Sequence, residues 1–355
     1  ATAGRLGRML MLGGGATLGA ALLTGCARQG SPTPTPITPT PTTGPTPTPP
    51  TVPTTQRVRI AQLNAYNLFD TVDQPRVQDD VLTPVEYDRK LAKLSLSIRD
   101  AMAAPDVIAM EEVENEGVLR DLAARPELAG LGYVPLLVEG TDPRGIDVGY
   151  LYRPSRVQLV SHEQRQTTFV SPTGRNIKLF TRPPLVATFR PVGQGGVADA
   201  SAGRDLTMIV NHFTSQLQGE EGAQKRLWQS QFVASLADGS AGVANLDPKR
   251  VVVIGDLNEG VGEPGYQELV EGPTEGVPAL VNAAAHLPEA DRYSYRRGSK
   301  RTLLDHVLIT PTLDGAVRQV RIPHINSDSS ETLGTDATTY LRSGDHDPVI
   351  VDMDL

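Results

Sequence analysis

The composition of this 355-residue chain excludes several classes of protein before any motif is considered. Its 41 acidic and 33 basic residues give a formal net charge of −8, which argues against a dedicated nucleic-acid binder, because such proteins carry a basic face. This acidic net charge does not exclude an enzyme that binds phosphate groups through a cation at its active site. The single cysteine, Cys26, excludes an internal disulfide, so a folded domain must be held by its hydrophobic core.

The first 26 residues have the pattern of an export signal. Arg5 and Arg8 form a charged n-region, and an uncharged stretch from Met9 to Leu23 follows. This stretch is too short and glycine-rich for a transmembrane helix, which needs about 20 apolar residues. The Leu-Thr-Gly-Cys tetrapeptide ending at Cys26 resembles a bacterial lipoprotein processing site, with an ordinary secretory signal as the alternative. We therefore expect an exported protein, anchored at the cell surface through a lipid on Cys26 or else secreted.

Residues 27–56 predict a tether. Between residues 29 and 55 the chain is almost entirely Pro and Thr, with no charge and no apolar period, and this composition favours extended polyproline II. At about 3.1 Å per residue, such a segment would hold a domain many tens of ångströms from its anchor. A disordered tail is the alternative.

From residue 57 to residue 355, apolar β-branched runs alternate with helical patterns, which predicts an α/β domain. The helical patterns run from Asp88 to Met102, before Pro105, and from Glu220 to Leu236. The predicted strands are Val58 to Leu63, Val107 to Met110, Val148 to Tyr152, Leu185 to Phe189, Leu206 to Val210, Val251 to Ile254, Leu303 to Ile309 and Val349 to Val351.

Polar residues of a few recurrent types collect at these strands. They are Asn64 and Asn67, Glu111 and Glu112, Asn211 and His212, Asp256 and Asn258, Asp305 and His306, and Asp345, His346 and Asp347. Any one of these motifs also fits a turn or a helix cap. Strand ends are rigid while their tips are accessible, so six such places in one domain indicate a shared cleft.

Together these motifs resemble the endonuclease/exonuclease/phosphatase superfamily, which deoxyribonuclease I typifies. The matching elements, in the family's order, are Gln62-Leu-Asn64, Ile108-Ala-Met-Glu-Glu112, Asp147-Val-Gly-Tyr, Ile209-Val-Asn-His212, Ile254-Gly-Asp256-Leu-Asn258, Leu304-Asp305-His306 and Ser343-Gly-Asp345-His346. The histidine at position 212 is similar to one found in the deoxyribonuclease I and phosphatase branch of the family. The Arg182-Pro-Pro and Tyr293-Ser-Tyr295 elements most resemble those of bacterial extracellular nucleases. The resemblance implies a four-layer sandwich of two packed, mixed β-sheets flanked by helices.

The resemblance also implies a metal site. It makes Glu112 the principal ligand, with Asn64 and Asp345 close to the ion. Four carboxylates in one cleft, those of Glu112, Asp256, Asp305 and Asp345, cannot all stay ionised without a cation or bound protons. Oxygen ligands and phosphate chemistry favour Mg²⁺, with Mn²⁺ or Ca²⁺ as alternatives.

The remaining site residues take catalytic roles from the same resemblance. His346, oriented by Asp305, would act as general base or as a donor to the phosphate. Asp256 would align or deprotonate the attacking water, and Asn258 would donate to a non-bridging oxygen. His212, oriented by Asp147, would donate to the phosphate or protonate the leaving oxygen, and Arg182 would contact the substrate phosphate.

The substrate is less well determined than the bond that is attacked. The basic run from Arg296 to Arg301, beside Tyr293 and Tyr295, could hold nucleic-acid phosphates, or it could be a solvated hairpin tip. Hydrolysis of DNA or RNA by a monomer is the first expectation. The alternatives are a phosphatase or phospholipid phosphodiesterase on the same fold, and an inactive surface binding module.

Overall fold

The computed structural model describes residues 56–75, 77–166, 168–170, 174–193, 204–271 and 279–355. The predicted export signal, Cys26 and all but the last residue of the predicted tether lie outside the described residues. Within the described part of the chain, no helix is long and apolar enough to cross a membrane.

Sixteen strands and six α-helices make up the described part of the chain. The strands are β1 (Arg57–Leu68), β2 (Val107–Val113), β3 (Val134–Leu137), β4 (Asp147–Tyr152), β5 (Val157–Gln164), β6 (Thr168–Val170), β7 (Asn176–Lys178), β8 (Leu185–Pro191), β9 (Leu206–His212), β10 (Val251–Asp256), β11 (Val281–Asn282), β12 (Tyr295–Arg297), β13 (Lys300–Thr302), β14 (Asp305–Ile309), β15 (Val317–Arg321) and β16 (Val349–Asp354). The helices are α1 (Pro84–Leu96), α2 (Glu116–Ala123), α3 (Pro126–Ala129), α4 (Gly219–Ala237), α5 (Pro264–Val270) and α6 (Pro311–Asp314).

Two six-stranded sheets form the centre of the fold. One has the order β15-β16-β1-β2-β4-β3 and the other β11-β14-β10-β9-β8-β5. Both are mixed, because β1 is parallel to β2 and antiparallel to β16, and β10 is parallel to β9 and antiparallel to β14. Two small hairpins, β6-β7 and β12-β13, lie outside these sheets.

The alternation of side chains along each strand explains the layers. On β1, Val58 and Ile60 join a core shared by the two sheets, whereas Ala61 and Leu63 join a second core with α1 and α2. Helices α4 and α5 cover the other sheet through a third core that includes Val233. Successive strand residues point to opposite faces, so apolar runs of this kind need cover on both sides. The predicted four-layer sandwich is confirmed.

The predicted long helix extends further toward its N terminus than expected. Helix α1 starts at Pro84, because Thr83 and Glu86 form a capping box that satisfies backbone N–H groups at its first turn. It continues into a π-helical turn, Ser97–Ala101, before the chain enters β2. The second predicted helix is confirmed as α4.

Strand pairing brings the polar strand ends to one edge. Asp256 at the end of β10 pairs with His212 on β9 and with Asp305 on β14, and Asn64 on β1 pairs with Glu111 on β2. The residue before Asp256, Gly255, has to be glycine, because a Cβ atom at this position would collide with the backbone carbonyl of Asn211 on β9. Side chains from distant parts of the chain therefore converge at the carboxyl ends of the parallel strand pairs.

Candidate active site

A cleft of about 570 Å³ opens at this edge of the two sheets. Seven predicted site residues line it: Glu112, Arg182, His212, Asp256, Asn258, Asp345 and His346. Two further predicted residues, Asn64 and Asp305, contact side chains that line the cleft. The amide Nδ2 of Asn64 donates to Asp256 Oδ2 at 3.3 Å, and Asp305 bonds to His346. The structure thus brings together nine of the ten predicted catalytic, metal and phosphate residues.

His346 is held by a buried carboxylate. Its Nδ1 lies 2.7 Å from Asp305 Oδ2, which also accepts a hydrogen bond from Ser294 Oγ at 2.6 Å. The other oxygen, Asp305 Oδ1, accepts from Gln62 Nε2 at 2.6 Å. The ring of Tyr295 packs against the imidazole, with centroids 4.7 Å apart. Both oxygens of Asp305 are therefore fixed, and they fix the orientation of the His346 ring.

The charge on His346 follows from its neighbours. Burial alone would lower the pKa of His346, but the nearby carboxylates of Asp305 and Asp256 outweigh burial and raise the pKa well above its ordinary value. Asp256 Oδ2 lies 3.9 Å from His346 Nδ1. The neighbouring carboxylates therefore favour the protonated form of His346.

His212 has the opposite character. Its Nε2 lies 3.7 Å from Asp256 Oδ2 and 3.8 Å from Glu112 Oε1, beyond hydrogen-bonding distance. Burial, followed by the positive charges of Arg182 and Arg144, lowers the pKa of His212 well below its ordinary value. The surroundings therefore shift the pKa values of the two histidines beside Asp256 in opposite directions.

The predicted pairing of His212 with Asp147 does not form. His212 Nδ1 has no hydrogen-bond partner among the described residues. Asp147 is buried at the start of β4, where burial and the neighbouring Glu139 raise its pKa to about 7. The Asp147 carboxyl approaches Gly140 so closely that a Cβ at position 140 would collide with it. Asp147 is held by the segment before β4 instead of by the imidazole.

Asp256 and Asn258 form a compact turn after β10. The backbone N–H of Asn258 donates to Asp256 Oδ1 at 2.9 Å, and the Asn258 side-chain amide donates to the Phe213 carbonyl at 3.3 Å. Asn258 is in the left-handed region, with φ of 49°. Burial raises the pKa of Asp256 to about 7, although His346 opposes this shift. The carboxylate is thus poised to exchange a proton near neutral pH.

Glu112 also sits on left-handed backbone, with φ of 57°. Its Oε2 accepts a hydrogen bond from the backbone N–H of Asn67 at 2.9 Å, and Asn67 has φ of 55°. Non-glycine residues in this region carry strain that the surrounding structure must offset, and such residues cluster at functional sites. The strained backbone aims Glu112 Oε1 toward His212, into the cleft.

The donor set fits a hard divalent cation. Burial and the charge of Glu112 raise the pKa of Asp345, as expected for crowded carboxylates without a counter-ion. Asp256, Asp305 and His346 also place one donor atom each within 4.8 Å of one another. However, Asp305 already accepts from three side chains, which makes it a poor candidate ligand. The predicted ligands Glu112, Asp345 and Asn64 lie beside Asp256, and their ligand role stays a prediction.

Arg182 is buried beside the cleft. Its guanidinium donates to Asp142 Oδ2 at 2.7 Å and to the Phe213 carbonyl at 3.2 Å. It therefore supplies positive charge to the His212 side from a fixed position, and its contact with a substrate phosphate stays a prediction.

Sequence reasoning did not single out Arg144, and it gave Gln62 and Ser294 no role of their own in the site. It also did not predict that Tyr295 packs on the ring of His346. Gln62 was detectable, because it continues the Val58 and Ile60 face of β1 and is therefore a polar side chain between the sheets. Ser294 gave no local signal, because its contact to Asp305 depends on the hairpin that follows it.

The fold and the cleft define an α/β-sandwich protein with a buried cluster of acidic and histidine side chains that could bind a metal. The sequence profile of the Endonuclease/Exonuclease/phosphatase family matches residues 59–327. This chain belongs to that family, whose members include metal-dependent phosphoesterases and nucleases. Among curated proteins, no match to the chain is found.

Solved structures share the fold at low sequence identity. A Bacteroides thetaiotaomicron endonuclease/exonuclease/phosphatase family protein is 14% identical with a TM-score of 0.54, covering 84% of this chain and 95% of that one. D. rerio TDP2 complexed with single strand DNA product is 19% identical with a TM-score of 0.50, covering 84% and 99%. The human Nocturnin catalytic domain with bound sulfate anion is 15% identical with a TM-score of 0.50, covering 83% and 93%.

Proposed function

We propose that this protein is a divalent-metal-dependent nuclease that hydrolyses phosphodiester bonds of DNA or RNA at the cell surface. The observation that carries the proposal is geometric: two buried histidines, His212 and His346, lie within 4 Å of Asp256, and Glu112 Oε1 lies 3.8 Å from His212. Phosphodiester hydrolysis needs a positive group for the phosphoryl oxygens, a base for water and a donor for the leaving oxygen. One cleft contains groups suited to each task.

The chain's own residues divide the work as follows. The His346 imidazolium donates a charge-assisted hydrogen bond to a phosphoryl oxygen, and Asp305 keeps its ring in place. Asp256 accepts a proton from the attacking water, which its pKa of about 7 suits. Neutral His212 donates to the leaving oxygen. A divalent ion bound by Glu112, Asp345 and Asn64, most simply Mg²⁺, would polarise the phosphoryl group and offset its negative charge.

Nucleic acid is the first substrate class to test. The D. rerio TDP2 structure contains a single-strand DNA product, which supports this choice by family likeness. The basic hairpin at the cleft supports it through the chemistry of this chain. The intact set of carboxylates and both histidines argues against an inactive binding module.

The decisive experiment measures hydrolysis by the purified protein with and without a chelator, on plasmid DNA and an RNA oligonucleotide. Bis-nitrophenyl phosphate, an inositol phosphate and sphingomyelin are assayed in parallel. We expect nicking or degradation of nucleic acid that the chelator abolishes and Mg²⁺ restores, with Mn²⁺ and Ca²⁺ compared. Hydrolysis of the lipid or the inositol phosphate alone would replace the nuclease proposal with a different phosphoesterase.

The proposed location has its own test. We propose that the export signal is cleaved before Cys26 and that this cysteine carries the lipid anchor. Replacing Cys26 with Ser should move the expressed protein from the membrane fraction to the medium, and should remove label from an incorporated fatty acid. Unchanged fractionation would leave an ordinary secretory signal as the better interpretation.

A further inference from the structure

The basic run at residues 296–301 folds into the hairpin β12-β13, and its register separates the cations into two groups. Tyr295 pairs with Thr302, Arg296 with Arg301, and Arg297 with Lys300. Because strand side chains alternate between faces, Arg297 and Lys300 share a face with Tyr295, and Arg296 and Arg301 share the opposite one. The two groups meet different surroundings.

Arg296 and Arg301 anchor the hairpin to the rest of the domain. Arg296 contacts Asp328 Oδ1 at 3.1 Å and Arg301 contacts Asp328 Oδ2 at 3.0 Å. The Arg301 guanidinium lies 4.3 Å from the ring centre of Tyr293, whose hydroxyl donates to Asp328 at 2.7 Å. The charge of Asp328 and the face of Tyr293 therefore occupy these two cations.

Arg297 and Lys300 face the cleft instead. Both are exposed and line it together with Tyr295, and neither has a side-chain hydrogen bond or ion pair in the described part of the chain. Tyr295 packs on the His346 ring and also forms a backbone bridge to His346. Arg297 follows Tyr295 by two strand positions, which places it about 7 Å farther along the cleft wall.

Two unpaired cations beside a phosphoryl-transfer site in a chain of net charge −8 require a physical reason. Among the described residues, neither cation forms an ion pair that would hold the hairpin to the domain, unlike Arg296 and Arg301. The strand spacing from Tyr295 to Arg297 is comparable to the spacing of successive phosphates in an extended nucleic-acid strand. Arginine and lysine are the side chains that most often contact such phosphates.

We infer that Arg297 and Lys300 form a subsite for a second phosphate, the one next to the phosphate that is hydrolysed. This inference rests on the proposed nuclease function and narrows it. The preferred substrate is a polynucleotide with at least two successive phosphates, and an isolated phosphoester is a poorer one. The subsite binds the phosphate without reading the base.

The test compares substrates that differ by one phosphate. They are a thymidine dinucleotide with a single phosphodiester, and the same dinucleotide with an added 5′- or 3′-phosphate. For the wild-type protein with Mg²⁺, we expect kcat/KM to rise about tenfold or more with the added phosphate on one of the two ends. In the Arg297→Gln/Lys300→Gln variant the ratio of the two kcat/KM values should fall to about one.

A control of matched charge comes from two exposed cations that do not line the cleft, Arg99 and Arg120, which pair with Asp100 and Glu116. Arg99→Gln/Arg120→Gln removes the same number of cations, and its kcat/KM ratio should stay as in the wild type. On longer single strands, the slope of log KM against log salt should fall by about 0.7 for the cleft-facing variant, the value for one phosphate contact. Melting temperatures of both variants, and single substitutions if either double variant unfolds, separate binding from folding.

Three results would overturn the inference: a wild-type ratio of one, a ratio that survives in the cleft-facing variant, or equal losses in both variants. Equal losses would show a general effect of the protein's net charge. If the wild-type protein hydrolyses neither the dinucleotide nor plasmid DNA, the nuclease proposal itself has failed, and this outcome is distinct from the other three.

Discussion

The two sides of the cleft show how the pKa of one residue type is shifted in opposite directions. His346 and His212 are both almost fully buried, and both lie within 4 Å of Asp256. Burial pushes the pKa of each downward, yet only His212 ends below the ordinary value. The difference lies in the neighbours, since carboxylates surround His346 and the arginines Arg182 and Arg144 lie near His212.

The two sides also differ in how firmly each ring is held. Asp305 accepts hydrogen bonds from Ser294 and Gln62 while it bonds to His346, and Tyr295 packs on the ring. His212 has no comparable support at Nδ1 among the described residues. A catalytic group whose orientation is fixed in advance contributes more to the rate. We therefore expect His346 to matter more than His212.

The largest effect should come from the rigid side. Replacing His346 with Ala removes the side chain that we propose donates to the phosphate, and we expect kcat/KM on DNA to fall by about 10³-fold to 10⁴-fold. The assay is plasmid nicking with Mg²⁺, with circular dichroism to confirm folding. His286, which is on the surface and pairs with Asp314, provides the control variant His286→Ala. Near wild-type nicking by His346→Ala would contradict the proposed mechanism.

A smaller loss should follow on the neutral side. His212→Ala removes a donor to the leaving oxygen that water can partly replace, so we expect kcat to fall by about 10²-fold. A substrate with a good leaving group, such as bis-nitrophenyl phosphate, should lose less than DNA does, since its leaving oxygen needs less stabilisation by a hydrogen bond. If both substrates lose equally, His212 contacts the phosphate instead. If His212→Ala is worse than His346→Ala, the comparison of the two sides is inverted.

The sequence was sufficient to predict the strands that carry this site. Apolar β-branched runs such as Val251 to Ile254 predicted β10, and the polar residues that follow it marked the edge where Asp256 lies. Motif order then grouped side chains that are far apart in the chain. Register completed the grouping, since Asp256 pairs with both His212 and Asp305.

Contacts that depend on side-chain direction could not be predicted in this way. The proposed Asp147 to His212 contact was wrong because Asp147 points to Gly140 and Glu139, a choice set by the packing of the loop before β4. Likewise, the sequence indicated one basic patch from Arg296 to Arg301, whereas the hairpin register places its cations on two opposite faces. Edge strands such as β5 and β15 were also missed, because exposed edges carry alternating polar residues instead of apolar runs.

A moderate loss of kcat is expected when the hydrogen bonds that hold Asp305 are weakened while His346 is kept. The hydroxyl of Ser294 donates a hydrogen bond to the Asp305 carboxylate and accepts hydrogen bonds from the backbone N–H groups of Leu304 and Asp305. Ser294→Ala should lower kcat by about tenfold and leave KM unchanged, because it frees Asp305 to rotate. The imidazole NMR signals of His346 should shift in the variant, which a purely structural defect elsewhere would not cause. Ser299→Ala, in the exposed hairpin turn, is the control, and an unchanged kcat in Ser294→Ala would show that Asp305 needs no such support.

The smallest effect concerns Asp147 and is a change in stability. Its pKa is raised from 3.8 to about 7 by burial and by Glu139, so between these values the folded state binds more protons than the unfolded state. The free energy of unfolding should therefore fall as the pH rises through this range. An asparagine at this position does not titrate. The free energy of unfolding of Asp147→Asn, compared with that of the wild type, should therefore rise by about 1 to 3 kcal/mol as the pH increases from about 4 to about 8. Urea unfolding of both proteins in chelator measures this difference, and Glu139→Gln should reproduce part of it. A difference that stays constant with pH would mean that Asp147 is ionised in the fold, and it would again become a candidate partner for the neutral histidine.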